Sequence, residues 1–186
     1  MSIALIDESG FMLQGVRART WAPRGHTPIQ RVAGPRKHIS VISAITVSPI
    51  KRRLGLYFET YEHSINGKDV LPFMRLLRRS LGRGVIFVLD LLNAHRWAAR
   101  EYRRRAASVE FEWLPPYAPD LTPVEQVWNH GKNVELANFI PGDLKDLDRG
   151  IRQALRRQRC DSNLLYSFFR YAKLKLRRFI SLPKYQ

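Results

Sequence analysis

The stretch Val85-Ile86-Phe87-Val88-Leu89-Asp90 is a short apolar run that ends at a carboxylate. Five consecutive apolar residues bounded by turn-forming residues are typical of a strand buried on both faces. Upstream, residues 66–81 place apolar side chains at helical spacing. Downstream, residues 94–107 predict a basic helix and residues 109–114 a further strand. Helices and strands that alternate around a buried strand indicate a sheet covered by helices.

The first third of the chain has a different pattern. Residues 3–6 predict a buried strand, and the Asp-Glu-Ser-Gly sequence at residues 7–10 predicts a turn into a second strand at residues 11–16. Residues 38–47 and 54–60 continue in the same strand-forming style. Four strands joined by short connections favour an antiparallel meander. The whole pattern therefore predicts an α/β fold with a mixed sheet flanked by helices.

The composition indicates a soluble domain with a polyanionic partner. The 186 residues carry a formal net charge of +16, and 45% of them are hydrophobic, which is enough to build a core. No stretch approaches the roughly 20 apolar residues of a membrane span, and the single Cys160 excludes an internal disulfide. Residues 75–105 and 151–186 carry +7 and +9, whereas residues 106–150 carry −5. An excess of this size points most often to nucleic acid.

Two aspartates occupy the same local position. Asp7 follows the apolar run at residues 3–6, and Asp90 follows the run at residues 85–89. If the two strands are neighbours, the two carboxylates come close together, and a hard divalent cation such as Mg²⁺ would offset their repulsion. Each aspartate has an alternative explanation as a turn residue or a helix cap after its strand.

Glu125 is the third candidate carboxylate, and the pattern around it allows two interpretations. Thr122 fits a helix N-cap, Pro123 the first helical position, and Glu125 the position three after the cap. That spacing is a capping box, which explains the glutamate without any chemistry. Glu125 also lies beside the apolar stripe of the predicted helix, at the boundary between buried and exposed positions.

Three segments of the chain carry longer motifs. Residues 114–128 read Leu-Pro-Pro-Tyr-Ala-Pro-Asp-Leu-Thr-Pro-Val-Glu-Gln-Val-Trp. Residues 7–11 read Asp-Glu-Ser-Gly-Phe and are followed by Trp-Ala-Pro-Arg-Gly at residues 21–25, and residues 88–96 read Val-Leu-Asp-Leu-Leu-Asn-Ala-His-Arg. These segments resemble the third, first and second catalytic motifs of mariner-like DDE transposases. The bacterial insertion-sequence branch is the nearest match, and the resemblance covers roughly residues 3–135.

The resemblance implies a ribonuclease-H-like α/β fold, with a mixed five-stranded sheet flanked by helices, and a catalytic trio. Carried over by position, the catalytic and metal-binding carboxylates are Asp7, Asp90 and Glu125, and the 34 residues between Asp90 and Glu125 are the separation this branch shows. The trio is expected to hold two Mg²⁺ or Mn²⁺ ions. The implied activity is cleavage of a DNA strand by water, followed by attack of the freed 3′-hydroxyl on target DNA at the same site.

The resemblance also shapes expectations for domains and partners. We predict a catalytic core over residues 1–140 and a basic helical extension over residues 141–186, with helices at residues 143–159 and 163–180. The partners expected are double-stranded DNA and a second copy of the chain, in the cytoplasm at the nucleoid and without a membrane. Relatives carry helix-turn-helix modules before the core. We expect this chain to be either the second product of a split reading frame, with a separate upstream helix-turn-helix polypeptide, or a decayed copy or a fragment.

Cations and aromatic residues outside the trio are candidates to contact DNA. A loop tryptophan and arginine could stack and pair with phosphates, although a structural tryptophan is an equal alternative. Basic runs on helices could face phosphates or only be solvated. The histidine after the second aspartate could approach the phosphate or the metal's surroundings, or pack at its helix start. The set is Trp21, Arg24, His95, Arg96, Arg103, Arg104, Arg105, Lys173, Arg177 and Arg178.

Three positions depart from the motifs or stand beside them. Leu91 stands where the branch often carries Asn, and Gly131 stands where the third-motif helix continues with an apolar residue. Glu8 could lend a further carboxylate, but a solvated turn acid is the favoured interpretation. The alternatives to a transposase are a ribonuclease-H-like nuclease that no longer transposes and an inactive, basic DNA-binding remnant.

Overall fold

A five-stranded sheet in the order β3-β2-β1-β4-β5 forms the centre of the computed structural model. The structure describes residues 1–26, 29, 37–49, 53–82, 84–104, 109–116, 122–174 and 176. The strands are β1 (Ser2–Met12), β2 (His38–Val47), β3 (Leu54–Tyr61), β4 (Val85–Leu89) and β5 (Val109–Trp113). The helices are α1 (Gly67–Leu81), α2 (Asn93–Arg103), α3 (Pro123–His130), α4 (Leu144–Cys160) and α5 (Ser162–Tyr171).

Strand β1 corrects the prediction of a hairpin at residues 7–10. It runs without a break from Ser2 to Met12 and pairs with β2 in antiparallel register along that length. Pairing with β2 keeps the Asp-Glu-Ser-Gly segment extended, so the turn preference of these side chains is overridden. The chain turns later, where Gly15 N donates to Met12 O at 3.0 Å and Gly15 has a φ of 62°. Asp7 therefore lies inside a strand, and the described residues up to 61 form three strands rather than four.

Strand β1 is also paired on its other side, but only over part of its length. It pairs in parallel with β4 from Ser2 opposite Val85 to Leu5 opposite Val88. Strand β4 ends at Leu89. Beyond Leu5, strand β1 continues along β2 for seven more residues, to Met12. The meander β1-β2-β3 and the parallel strands β4 and β5 thus form a mixed sheet, with a notch where β4 stops.

Helices cover both faces of the sheet. Because side chains alternate along β1, Ala4 and Ile6 pack with α1 and α2, whereas Leu5 and Phe11 pack with α3, α4 and α5. Strand β2, in the middle of the meander, is buried at eight successive positions, as expected for a strand covered on both faces. No helix in the described part of the chain is long and apolar enough to cross a membrane.

The helix starts follow the capping signals in the sequence. Asn66 caps α1, and its side chain and that of Asp69 make both halves of a capping box. Thr122 caps α3 with Pro123 as the first helical residue, as predicted. Helices α4 and α5 share one apolar cluster with β1, β2 and β3. The division of the chain at residue 140 stays a prediction.

Candidate active site

A cleft of about 570 Å³ opens at the notch in the sheet. Asp7 and Glu8 reach it from β1, Asp90 from the residue after β4, and Glu125 from the first turn of α3. The three carboxylates that the motifs single out therefore line the same cleft, although they lie 83 and 35 positions apart in the sequence. The rest of the lining is Ile6, Leu91, Leu92, Leu114, Pro115, Pro116 and Thr122.

Asp7 is more deeply buried than Asp90. It lies on the α3 side of the sheet, and the indole Nε1 of Trp128 donates a hydrogen bond to Asp7 Oδ2 at 2.9 Å. Burial is the main reason that the pKa of Asp7 is raised from 3.8 to about 6; the charges of Glu8 and Glu125 act in the same direction, and the bond from Trp128 opposes them. Keeping Asp7 ionised in the metal-free chain therefore costs free energy that a nearby cation would offset.

Asp90 has a different environment. Its Oδ1 accepts hydrogen bonds from Leu92 N at 3.0 Å and from a ring nitrogen of His95 at 2.5 Å. Partial burial is the largest single influence and acts to raise the pKa of Asp90. The hydrogen bonds from His95 and Leu92 and the charge of His95 together outweigh it and hold the pKa below its usual value. Asp90 is therefore a carboxylate kept in its ionised form, with 39% of its side chain exposed.

Glu125 lies in the first turn of α3 and is partly buried. Thr122 Oγ1 accepts a hydrogen bond from Val124 N at 3.4 Å, so the cap is made by the threonine hydroxyl. In the described part of the chain, no hydrogen bond from Thr122 N to the Glu125 carboxylate completes a capping box, whereas both halves of the box are present at α1. The capping explanation for Glu125 is thus weakened, and its side chain borders the cleft.

Lys132 is a cation near the carboxylates that the sequence analysis did not single out. Helix α3 continues into a π-helical turn (Gly131–Glu135), where Lys132 Nζ donates to Ser9 Oγ at 2.7 Å and lies 5.2 Å from the ring centre of Phe11. Burial lowers the pKa of Lys132, and the charges of Glu125 and Asp7 oppose that change. The sequence did carry a signal for Lys132. It stands seven residues after Glu125, which is about two helical turns, so the two side chains are expected on the same side of the helix.

Gly131 is buried, and a Cβ there would stand 3.4 Å from the Gln158 side-chain nitrogen and 3.6 Å from the ring of Phe11. Both are ordinary van der Waals distances, so the structure gives no steric reason for a glycine at this position.

Glu8 and His95 correct two sequence interpretations. Glu8 is a strand residue with 15% of its side chain exposed, not a solvated turn acid, because β1 continues through it. The His95 side chain is fully buried, so it is not a surface contact for DNA. One ring nitrogen bonds to Asp90 and the other to Glu8 Oε1 at 2.7 Å. Burial alone would lower the pKa of His95, but the two carboxylates raise it to about 10.

The described residues that were predicted to contact DNA from the surface lie in three places. The first is on α2, where a hollow of about 450 Å³ is lined by Arg96, Ala99, Arg100, Arg103, Arg104 and Trp113. We call the four arginines of this hollow the α2 arginine face. Trp21, which is fully exposed, and Arg24 lie on the irregular segment after β1. Lys173 is exposed after α5, whereas Arg105, Arg177 and Arg178 lie outside the described residues.

The residues of the cleft fit a hard divalent cation in their chemistry. The described residues contain no group of three or more His, Cys, Asp or Glu side chains gathered closely enough to hold a metal ion. The donors that line the cleft are nevertheless carboxylate oxygens, which Mg²⁺ and Mn²⁺ prefer. The mutual repulsion at Asp7 is the further observation that fits a bound cation.

The fold and the cleft define a class of protein. A mixed five-stranded sheet flanked by helices, with carboxylates on two adjacent strand segments and a following helix, is a ribonuclease-H-like arrangement, so the predicted fold class is confirmed. The family of DDE superfamily endonucleases matches residues 2–148. The chain belongs to this family.

Solved structures of mariner transposase have the same fold. The Mos1 mariner paired-end complex with Mn matches 91% of this chain and 52% of its own chain, with a TM-score of 0.62 at 17% identity. The Mos1 strand transfer complex matches 92% of this chain and 52% of its own, with a TM-score of 0.60 at 16% identity. This chain thus spans about half the length of those proteins. A search of curated proteins finds no match.

Proposed function

We propose that the chain is the catalytic domain of an insertion-sequence transposase that cleaves DNA and joins the 3′-hydroxyl end to target DNA. The observation that carries the proposal is that Asp7, Asp90 and Glu125 line one cleft. Membership of the DDE superfamily endonucleases supports the endonuclease step, and the likeness to the Mos1 strand transfer complex supports the joining step. The insertion-sequence context rests on the motif resemblance in residues 7–128.

The three carboxylates would hold two Mg²⁺ or Mn²⁺ ions. When bound, such ions activate the attacking oxygen and stabilise the leaving oxygen of an in-line displacement. The mariner complexes with Mn and with Mg support this choice of metal. The chain's own contribution is to hold Asp7 through Trp128 and Asp90 through His95, and to keep apolar walls such as Leu114 around the reacting groups.

Lys132 would add a positive charge on the α3 side of the cleft. Its ammonium group is close enough to Asp7 and Glu125 for their charges to act on its pKa. Lys132 lines the neighbouring hollow with Gly10 and Phe11 rather than the cleft itself, so its charge would favour an anionic phosphate in the cleft through longer-range attraction.

DNA is the proposed substrate, and the α2 arginine face is its proposed docking surface. Helix α2 starts three residues after Asp90, and Arg96, Arg100, Arg103 and Arg104 follow at helical spacing along an exposed side. At about 1.5 Å per residue, this face extends roughly 12 Å from the region of the cleft. Trp21, Arg24 and Lys173 are proposed as further contacts, because all three are exposed.

We also propose a homodimer and a separate upstream helix-turn-helix polypeptide, at the nucleoid in the cytoplasm. The paired-end complexes of Mos1, one of them with the left transposon end, support the dimer. End recognition by another polypeptide rests on the motif resemblance alone.

A strand-transfer assay tests the proposal. The chain is incubated with pre-cut element ends, a supercoiled target plasmid and Mg²⁺ or Mn²⁺, and the products are separated by size. Joined product in a metal-dependent reaction is the expected result. Nicked plasmid without joining would assign a nuclease, and binding without any chemistry would assign an inactive remnant, so either outcome overturns the transposase.

A further inference from the structure

Glu8 and Asp7 are neighbours in β1, and their side chains leave the strand on opposite faces. Asp7 reaches Trp128 on the α3 side, whereas Glu8 reaches His95 on the α2 side, with 2.7 Å between Glu8 Oε1 and His95 Nε2. The fully buried His95 side chain uses its other nitrogen to bond Asp90 Oδ1 at 2.5 Å. A continuous chain of hydrogen bonds thus joins Glu8 to Asp90. We call it the Glu8–His95–Asp90 clamp.

The clamp leaves one Asp90 oxygen for a ligand. Oδ1 receives two hydrogen bonds, from His95 and from Leu92 N, while 39% of the Asp90 side chain remains exposed. Two donors on one oxygen fix the rotation of a carboxylate, and they direct the other oxygen to the exposed side. In many metal sites, a residue that does not itself bind the metal makes a hydrogen bond to a ligand carboxylate and fixes its orientation. His95 stands in that relation to Asp90.

The clamp also lies where the sheet no longer holds the two segments together. Parallel pairing between β1 and β4 ends at Leu5 opposite Val88, so Asp7 and Asp90 stand beyond the last paired residues. Glu8 and His95 connect β1 to the start of α2 across this notch. Glu8 Oε2 is buried and has no hydrogen-bond partner among the described residues. A buried carboxylate oxygen without a hydrogen-bond partner destabilises the fold, so packing alone does not explain why a glutamate stands at this position.

We propose that Glu8, acting through His95, is a positioning residue that holds the Asp90 carboxylate in the orientation required for metal binding and phosphodiester cleavage. The inference rests on the proposed function, since it assumes that Asp90 binds the metal. Neither Glu8 nor His95 touches the reacting groups in this scheme.

A double-mutant cycle on the full chain tests this inference. Glu8→Ala is expected to lower kcat for metal-dependent cleavage by about 10–100-fold and to weaken Mn²⁺ binding in calorimetry by a similar factor, with KM for DNA unchanged. Glu8→Gln restores much of the loss, because its amide oxygen still accepts from His95. If Glu8 acts only through His95, Glu8→Ala costs nothing further in a His95→Ala background. Glu112→Gln, at an exposed glutamate on β5, is the matched control and leaves both quantities unchanged.

Three results would overturn the clamp. They are unchanged kcat and Mn²⁺ affinity in Glu8→Ala, additive losses in the double mutant, and losses that vanish once the folded fraction from thermal melts is taken into account. Measurements of Mn²⁺ binding and DNA cleavage on the wild-type chain distinguish failure of the proposed function from failure of the clamp. Wild-type chain that binds Mn²⁺ without cleaving DNA contradicts the proposed function, and the Mn²⁺ affinities of the variants still decide on the clamp. Wild-type chain that binds no Mn²⁺ contradicts both.

Discussion

Asp7 combines a structural cost with a proposed catalytic role. Burial raises its pKa to about 6, and the charges of Glu8 and Glu125 act in the same direction. The folded chain therefore binds the Asp7 proton more tightly than the unfolded chain, whose aspartate keeps a pKa of 3.8. The stabilisation is complete below the unfolded pKa and is lost as the pH rises through the folded value.

Asp7→Asn is expected to stabilise the metal-free chain at pH 8 and to abolish cleavage. The amide stays neutral, and its oxygen can still accept from Trp128, so the cost of the buried charge disappears. Two pKa units correspond to on the order of 2–3 kcal/mol of unfolding free energy, and the difference should vanish near pH 4. Urea unfolding in EDTA at both pH values measures it. An Asn variant that is less stable than wild type at pH 8 would contradict this description of Asp7.

At the scale of single residues, the sequence predicted the candidate carboxylates but not the side chains that contact them. Asp7, Asp90 and Glu125 were identifiable because each stands in a motif with its own local pattern. The contacts from Trp128 to Asp7 and from His95 to Glu8 join residues 121 and 87 positions apart. No local pattern encodes such pairings, because they depend on which elements become neighbours in the fold.

Helix α2 illustrates the same limit at the scale of an element. Its buried positions, including Ala98, Ala99 and Tyr102, pack on the sheet, and its arginines point outward, as the helical period predicts. The hollow beside Trp113 forms because β5 lies next to α2. The helical spacing of apolar residues in α2 does not predict which strand will be its neighbour.

The α2 arginine face should dominate the salt dependence of DNA binding. Replacing Arg100 and Arg103 by Gln removes up to two phosphate contacts, so the slope of log K against log salt should become shallower by about 0.9 for each contact. Fluorescence anisotropy with duplex DNA at several salt concentrations measures the slope. The charge-matched control replaces Arg156 and Arg159, exposed on α4 at the opposite face of the sheet. Equal changes in both variants would contradict a localised docking surface.

The contact between α1 and α2 depends on a glycine. A Cβ at Gly67 would stand 2.4 Å from Trp97 Cε3 and 3.1 Å from Ala94 O. We therefore expect Gly67→Ala to lower the unfolding free energy by about 1–3 kcal/mol in urea titration, because overpacking forces the helices apart. Gly10→Ala is the control, since its Cβ would make only an ordinary contact of 3.9 Å. Similar losses at both positions would contradict a steric cause at Gly67.

Strand β1 shows why one element was predicted wrongly. Asp, Glu, Ser and Gly in succession are turn formers, and a local interpretation places a hairpin there. The partner strand β2 offers a hydrogen-bonding register for every one of these residues, from Asp7 opposite Ser43 to Gly10 opposite Ser40. Long-range pairing outweighs local propensity, and the same continuity brings Glu8 to His95.

The whole molecule separates its charges by region. The net charge is +16, yet acidic side chains line the cleft, and the described cations of the α2 arginine face lie beside it. This distribution suits a polyanion that binds to the α2 arginine face and divalent cations that bind in the acidic cleft. The fold class followed from the order of elements, because a meander followed by alternating helices and strands has few compact arrangements.

The most direct test compares metal-dependent cleavage of DNA by the wild-type chain and by Glu125→Gln. Thr122 caps α3 through its own hydroxyl, so Gln should leave the melting temperature nearly unchanged. The account predicts that cleavage in Mg²⁺ or Mn²⁺ falls below detection in the variant while DNA binding persists. Cleavage at the wild-type rate in a folded Glu125→Gln protein would contradict it.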